Sequence, residues 1–301
     1  MSELANSRVW FITGTSSGFG RALVEAVLNK NERVVATVRK TSALADLQAK
    51  YPETQLLVLT LDVTNAEQIA EAFKTIESHF HRLDVVVNNA GYALQGEVEG
   101  IPEAKARHQL EVIFWAPVNI TKQAIRFFRE VNPKGHGGRI LNISSTLGYD
   151  SHHTLAYYAA GKFALEGFTE AVLREVLPEW NITGTIIEPG SFATNLWAPE
   201  DVIPPHPAYG EKGPTIQVRE LFDKIPKIGD VAKAGQALLR IADAPALPRR
   251  IQLGTDAWVQ VHAKANKTLK DQEEWAAVSH STNLNGYEPE VVMAEMQKWT
   301  N

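Results

Sequence analysis

Seven short apolar runs recur along the chain, at 8–13, 33–38, 56–61, 84–88, 139–143, 182–187 and 250–254, most of them nearly unbroken Val, Ile and Leu. A strand that lacks the apolar–polar alternation is one covered on both faces. Longer amphipathic stretches lie between the runs, among them 20–30, 66–80, 103–130 and 156–177. Alternation of this kind predicts a parallel sheet with right-handed crossovers, a doubly wound (Rossmann-like) α/β fold of seven strands.

Composition excludes several chemistries. The 301 residues include no Cys, which removes disulfides, thiolate nucleophiles and Cys-ligated metal centres; no metal site is expected. A hydrophobic fraction of 44% and a charged fraction of 22% describe a folded globular chain. The net charge of -5 gives no electrostatic reason to expect nucleic acid or an anionic membrane as partner. The first apolar stretch, Val9–Ile12, is too short for a secretory signal, and no run approaches the roughly 18 apolar residues of a membrane span. Asn142, in one Asn-x-Ser/Thr triplet, falls in a strand, so a cytoplasmic protein is expected rather than a glycosylated one.

One segment breaks the alternation. Residues 195–228 hold Pro199, Pro204, Pro205, Pro207, Pro214 and Pro226 among Trp197, His206, Tyr209 and Phe222. Proline removes donors and interrupts helices, so a loop with at most one short helix, around 217–223, is expected. An insert of this length reads as a lid. The polar, amphipathic tail 257–301 carries Trp258, Trp275 and Trp299 as anchors, giving one domain over 1–301 with a lid and a C-terminal extension.

Directly after the first run comes Thr13-Gly14-Thr15-Ser16-Ser17-Gly18-Phe19-Gly20, opening an amphipathic stretch. Glycines in a strand–turn–helix setting let backbone N–H groups approach a pyrophosphate at a helix N-terminus. At the end of the second run, where a carboxylate would hold the 2′-hydroxyl of NAD, the chain reads Val38-Arg39-Lys40. A planar bidentate phosphate donor in that place points to NADP(H). Further on, Tyr158 and Lys162 stand four apart on one helix face, where a cation favours the phenolate.

Taken in order, TGTSSGFG at 13–20, Asp62-Val63, Asn88-Asn89-Ala90-Gly91, Asn142-Ile143-Ser144-Ser145, Tyr158/Lys162 and Pro189-Gly190…Thr194 resemble the short-chain dehydrogenase/reductase superfamily. The likeness covers roughly residues 9 to 254, and VVATVRK followed by LDVTNAEQI is similar to the branch of 17β-hydroxysteroid-dehydrogenase-like proteins and carbonyl reductases. The resemblance implies that Ser145, thirteen residues before Tyr158, hydrogen-bonds a substrate carbonyl. It implies that Tyr158 is the acid–base, and that Lys162 binds the nicotinamide ribose and lowers the Tyr158 pKa. It places Gly14, Ser16, Ser17, Gly18, Phe19, Gly20 and Arg39 on the phosphates, and Asp62 and Val63 by the adenine. Asn89, Ala90, Gly91 and Val112 are assigned to the cofactor, as are Pro189, Gly190, Phe192 and Thr194 at the nicotinamide end. A homodimer or homotetramer is implied as well.

Two positions depart from the superfamily's pattern. Its usual Asn in the long helix, thought to hold a water in the proton path, falls on Ile113, and its common Ser before the Lys is Gly161. Ile113 can neither donate nor accept a hydrogen bond through its side chain. The expected activity is NADP(H)-dependent interconversion of a carbonyl and an alcohol by hydride transfer. A non-catalytic NADP(H)-binding protein is the alternative that Ile113 favours, and a sugar-nucleotide epimerase or dehydratase is a third reading, weakened by the glycine spacing. Trp197, Tyr209 and Phe222, with Leu94, Leu147 and Tyr149, predict an apolar or aromatic small-molecule substrate. His152 and His153 lie between Ser145 and Tyr158, where the resemblance implies substrate contacts, a solvated loop pair being the alternative reading.

Overall fold

The computed structural model describes residues 3–300 apart from 195, 211 and 225, and the side chains of residues 3, 5, 222, 223, 299 and 300 are likewise outside the described set. Of the sequence expectations, Asn195 of the lid and the side chains of Phe222 and Trp299 therefore lie outside the described residues.

Seven parallel strands form one sheet in the order β3-β2-β1-β4-β5-β6-β7. They are β1 (Val9–Ile12), β2 (Arg33–Val38), β3 (Leu56–Thr60), β4 (Val85–Asn88), β5 (Gly138–Ile143), β6 (Ile182–Pro189) and β7 (Arg250–Leu253). The helices that matter below are α1 (Gly18–Asn29), α2 (Ala66–Phe80), α3 (Glu103–Leu110), α4 (Ala116–Glu130), α5 (Ala156–Glu175), α6 (Pro214–Lys224), α7 (Val231–Asp243) and α8 (Thr255–Glu274).

Successive strand residues point to opposite faces, and each face packs on its own helices. Trp10, Ile12, Val34 and Val87 join Leu23 and Val27 of α1 and Leu238 of α7 on one side. Val9, Phe11, Val35 and Val86 join Ile69 and Phe73 of α2 and Ala124 and Phe127 of α4 on the other. The unbroken apolar runs are thus strands buried twice over. The order reverses between β1 and β4, and ligands of open parallel sheets bind outside the carboxyl ends at such a switch point.

Two local departures from the expected elements have covalent causes. The stretch 103–130 is not one regular helix: Glu111–Trp115 forms a π-helical turn between α3 and α4. Pro117 has no N–H and cannot give Ile113 O its α-helical hydrogen bond, which loosens the ladder there. In the proline-rich segment, α6 begins at Pro214, earlier than the expected 217, because proline's fixed φ suits the first turn of a helix.

By internal packing the chain divides into two compact units, 1–258 and 259–301. The sheet and its flanking helices belong to the first. The second holds the later part of α8 and the helices Ala276–His280 and Pro289–Thr300.

Candidate active site

The loop after β1 and the loop after β4 meet at the switch point. Gly14 has φ +67, and a Cβ there would stand 2.7 Å from Ala90 Cα, so only glycine fits the turn. Asn89 Nδ2 donates to the carbonyls of Thr13 at 2.8 Å and Gly14 at 3.1 Å, and Thr13 Oγ1 accepts from the N–H groups of Asn89 and Ala90, both at 3.0 Å. Asn89 therefore holds the glycine loop in shape through its side chain, a bracing job the sequence pattern does not show. Ser17 is the N-cap of α1, and its hydroxyl makes no capping bond to the helix. The loop leaves a helix N-terminus open to an anion, with Ser16, Ser17 and Gly18 around it.

Residues 189–194 lie against the same loop. Gly190 N donates to Leu253 O at 2.9 Å, and Ser191 N to Asp256 Oδ2 at 2.6 Å. The ring of Phe192 meets that of Phe19 edge-on at 4.8 Å between centroids, and a Cβ at Gly18 would sit 3.3 Å from Thr194 Cγ2. Arg39, at the end of β2, is exposed, and among the described residues its guanidinium takes part in no hydrogen bond. Asp62 Oδ1 accepts from Thr64 N at 2.9 Å and Thr64 Oγ1 at 2.8 Å, which holds its carboxyl below the usual range, while Val63 is buried in the core against α2. Val112 is half-buried between two apolar clusters.

At the carboxyl end of β5, the adjacent residues Ser144 and Ser145, and on α5 Tyr157 and Tyr158, have different partners. Ser144 Oγ donates to the buried carboxyl of Glu166 at 2.5 Å. Ser145 instead acts on Tyr158, drawing its phenol downward, and its Oγ accepts from Leu147 N at 3.2 Å. Tyr157 packs beside Leu94, Ile101 and Ala106, away from Tyr158, which lies among Ala93, Ile113, Leu147, Leu155 and Ala159. Ser145, Tyr158 and Lys162 are thereby brought together.

Tyr158 and Lys162 are each 4% exposed. Burial pushes the phenol up to about 12, with the Ser145 hydrogen bond opposing, and draws the Lys162 ammonium down to about 8, with Glu166 opposing. Lys162 Nζ donates to Ile143 O at 2.8 Å and stands 5.6 Å from the centroid of the Tyr158 ring. The cation stands over the Tyr158 ring, and desolvation is the larger influence on its phenol. A phenol with this environment is protonated at neutral pH, the form that donates a proton.

The two departures at 113 and 161 prove to be one accommodation. Ile113 is fully buried, and a Cβ on Gly161 would fall 2.7 Å from Ile113 Cγ1. Residue 161 is small so that residue 113 can be large.

The proline-rich segment borders the same cluster. Leu196 packs on it, Leu196 O accepts from Ala93 N at 2.9 Å, and Gln95 N donates to Asp201 O at 2.9 Å. Arg219 on α6 reaches the buried Glu97 at 2.8 Å and donates to Ile203 O at 2.9 Å. Of the expected pocket residues, Leu147 lines the Tyr158 cluster, whereas Leu94 is buried in a separate one. Tyr149 lies beneath Arg250, Tyr209 Oη donates to Glu99 at 2.8 Å, and Trp197, His152 and His153 are exposed. Leu196 and the Glu97–Arg219 pair went unseen in the sequence, since each depends on partners distant along the chain.

Residues 8–201 match the family model described as short chain dehydrogenase. An uncharacterized oxidoreductase of Schizosaccharomyces pombe is 35% identical over 280 residues, 92% of each chain. A short-chain dehydrogenase from Streptomyces avermitilis superposes with a TM-score of 0.83 at 35% identity, covering 94% of this chain and 100% of that one. A short chain dehydrogenase from Burkholderia cenocepacia, solved in complex with NADP, shares the fold with a TM-score of 0.68 at 24% identity, over 90% of this chain and 98% of that one. Among the described residues no helix is long and apolar enough to cross a membrane, and no group of side chains could hold a metal ion.

Proposed function

The chain belongs to the short-chain dehydrogenase family, and from that premise we propose that it is an NADP(H)-dependent oxidoreductase interconverting a ketone or aldehyde with an alcohol. The observation that carries the reading is that Tyr158, buried in an apolar cluster at the carboxyl edge of β5, has Lys162 over its ring and Ser145 acting on its phenol. The glycine loop suits a cofactor phosphate: Gly14 lets the turn close against Ala90, and the N-terminus of α1 that follows has no side-chain cap bond. NADP is the choice favoured by Arg39, and the NADP-bound Burkholderia protein is consistent with it. When bound, the nicotinamide supplies or accepts the hydride.

The chain's own residues handle one proton and the geometry. Ser145 orients the carbonyl oxygen through its hydroxyl. Tyr158, kept protonated by burial, gives its proton to that oxygen as the alcohol forms, and takes it back in the reverse direction. Lys162, held by Ile143 O, places a cation beside the phenolate left behind. Leu147, Leu155 and Leu196 exclude water and select an apolar substrate face, with residues 195–228 as its lid.

Tyr158→Phe tests the assignment. The variant is expected to lose at least about a hundredfold in kcat of NADPH-dependent reduction, the usual size of a general-acid contribution, across a panel of ketones and aldehydes followed by NADPH absorbance. Near-wild-type turnover would show that another group moves the proton.

A further inference from the structure

Tyr158, Lys162, Glu166 and Glu170 stand at four-residue steps along α5, and the first three reach three successive residues at the end of β5. Tyr158 is influenced by Ser145, Lys162 donates to Ile143 O at 2.8 Å, and Glu166 accepts from Ser144 Oγ at 2.5 Å. Glu166 has no part in the scheme above, yet it is a buried carboxyl, seated where a side chain on Gly148 would collide with it.

Its surroundings are charged on several sides. Arg250 from β7 pairs with Glu166, with Glu188 of β6 at 2.9 Å and with Glu170 at 2.6 Å. Gln252 Nε2 donates to Glu188 Oε2 at 2.6 Å, and the Tyr149 ring lies 5.4 Å from the guanidinium. Three carboxyls thus surround one guanidinium. Full ionisation would leave two surplus negative charges in a mostly buried cluster, which low dielectric penalises unless a further cation and a proton balance them. Lys162 is the cation one helical turn away. Burial and Glu188 push Glu166 up to about 7, against Ser144 and Arg250.

We propose that Glu166 is a positioning residue that sets the charge on Lys162: ionised, it holds Lys162 as the ammonium beside Tyr158, and protonated, it releases Lys162 toward the neutral amine. The idea rests on the reading of Tyr158 and Lys162 as the acid–base pair. Because the two groups titrate against each other, their ionisations appear as properties of the pair.

Glu166→Gln keeps a hydrogen-bonding group toward Ser144 and Arg250 and removes the charge. Two readouts separate this inference from the functional one. In the protein alone, a carboxyl raised above its unfolded value contributes stability fully below the unfolded pKa and loses it as pH rises toward the folded one. The melting temperature of Glu166→Gln relative to wild type is therefore expected to climb between pH 5 and pH 8, by about 2 °C or more. In NADPH-linked turnover, the limb of the kcat/KM profile that reports Lys162 is expected to move to lower pH by about half a unit or more, and Glu166→Asp to restore it. Glu170→Gln, at a partly exposed position, frees Arg250 for Glu166 and is expected to shift the neutral-range melting curve to lower pH, which decides the matter even where Glu166→Gln does not fold. A melting difference that stays constant across that range, or a Glu170→Gln curve superposing on wild type, overturns the proposal. Loss of activity in Tyr158→Phe bears only on the functional reading.

Discussion

Ile113 and Gly161 show how a residue-scale departure can be misread one position at a time. In the sequence, Ile113 is a lost polar group and Gly161 a separate, minor change. In the structure, one occupies the space the other leaves. The pair is expected to behave as a coupled unit in a double-mutant cycle. Gly161→Ser alone forces its Cβ against Ile113 and is expected to cost about 1–3 kcal/mol by overpacking. Ile113→Asn alone buries an amide at a fully enclosed position and is expected to cost a similar amount. The combination is expected to be less damaging than the sum, by at least about 0.5 kcal/mol in urea denaturation. Strict additivity would mean that the two side chains do not share a site. The proposed acid–base pair was legible for a different reason. Tyr158 and Lys162 are neighbours through the helical period alone, so spacing is enough to single them out, whereas the choice of Ser145 over Ser144 needed the family's spacing; in space, Ser144 is held by Glu166.

At the scale of elements, the strands and most helices could be read from the sequence because buried parallel strands leave unbroken apolar runs. The 195–228 segment could be read only as a proline-rich interruption. What fastens it is invisible locally: Glu97 lies just beyond the β4 loop and Arg219 on α6, and no periodicity links them. Burial works against the Glu97 charge, but Arg219, its own backbone, Thr215 and His206 hold the carboxyl down at about 2. A carboxyl depressed in the folded state contributes stability above its unfolded pKa and loses it as pH falls toward the folded one. The latch is therefore expected to hold unchanged from about pH 5 upward and to loosen between about pH 4 and pH 2. Limited proteolysis within 195–228 measures it: cleavage by an acid-tolerant protease is expected to accelerate only in that acid window. Arg219→Met strands a fully buried carboxylate, a change that costs about 3–5 kcal/mol in comparable ion pairs, and is expected to accelerate cleavage of the same segment at neutral pH. Equal cleavage rates in variant and wild type would place the fastening elsewhere.

For the whole molecule, the position of the site follows from topology, and the length of chain needed to build it follows from packing. The order reversal between β1 and β4 brings the glycine loop beside Asn89, while β5 and α5 carry Ser145, Tyr158 and Lys162 next door. Among the described residues, all four apolar clusters draw on residues up to Leu253 and none beyond. Just past that limit, Asp256 at the start of α8 holds Ser191 N, and Ala257 is fully buried, so the first turn of α8 still serves the 189–194 segment. Farther along, Leu284, Tyr287 and Val291 are all more than half exposed. A chain ending after Glu274 keeps α8 whole and removes no core residue. It is expected to melt cooperatively within about 3 °C of the full chain, since surface changes away from packed features usually stay within about 0.5 kcal/mol each, and to bind NADPH with unchanged affinity by fluorescence titration. A second cut, after Leu253, deletes Asp256 and Ala257 with the rest of α8. That shorter chain is expected to bind NADPH at least about tenfold more weakly, because Ser191 loses its carboxylate partner and the neighbouring Gly190–Thr194 segment its anchor. If the chain ending after Glu274 already failed to bind NADPH, residues 275–301 would be needed for binding and the expectation would be wrong.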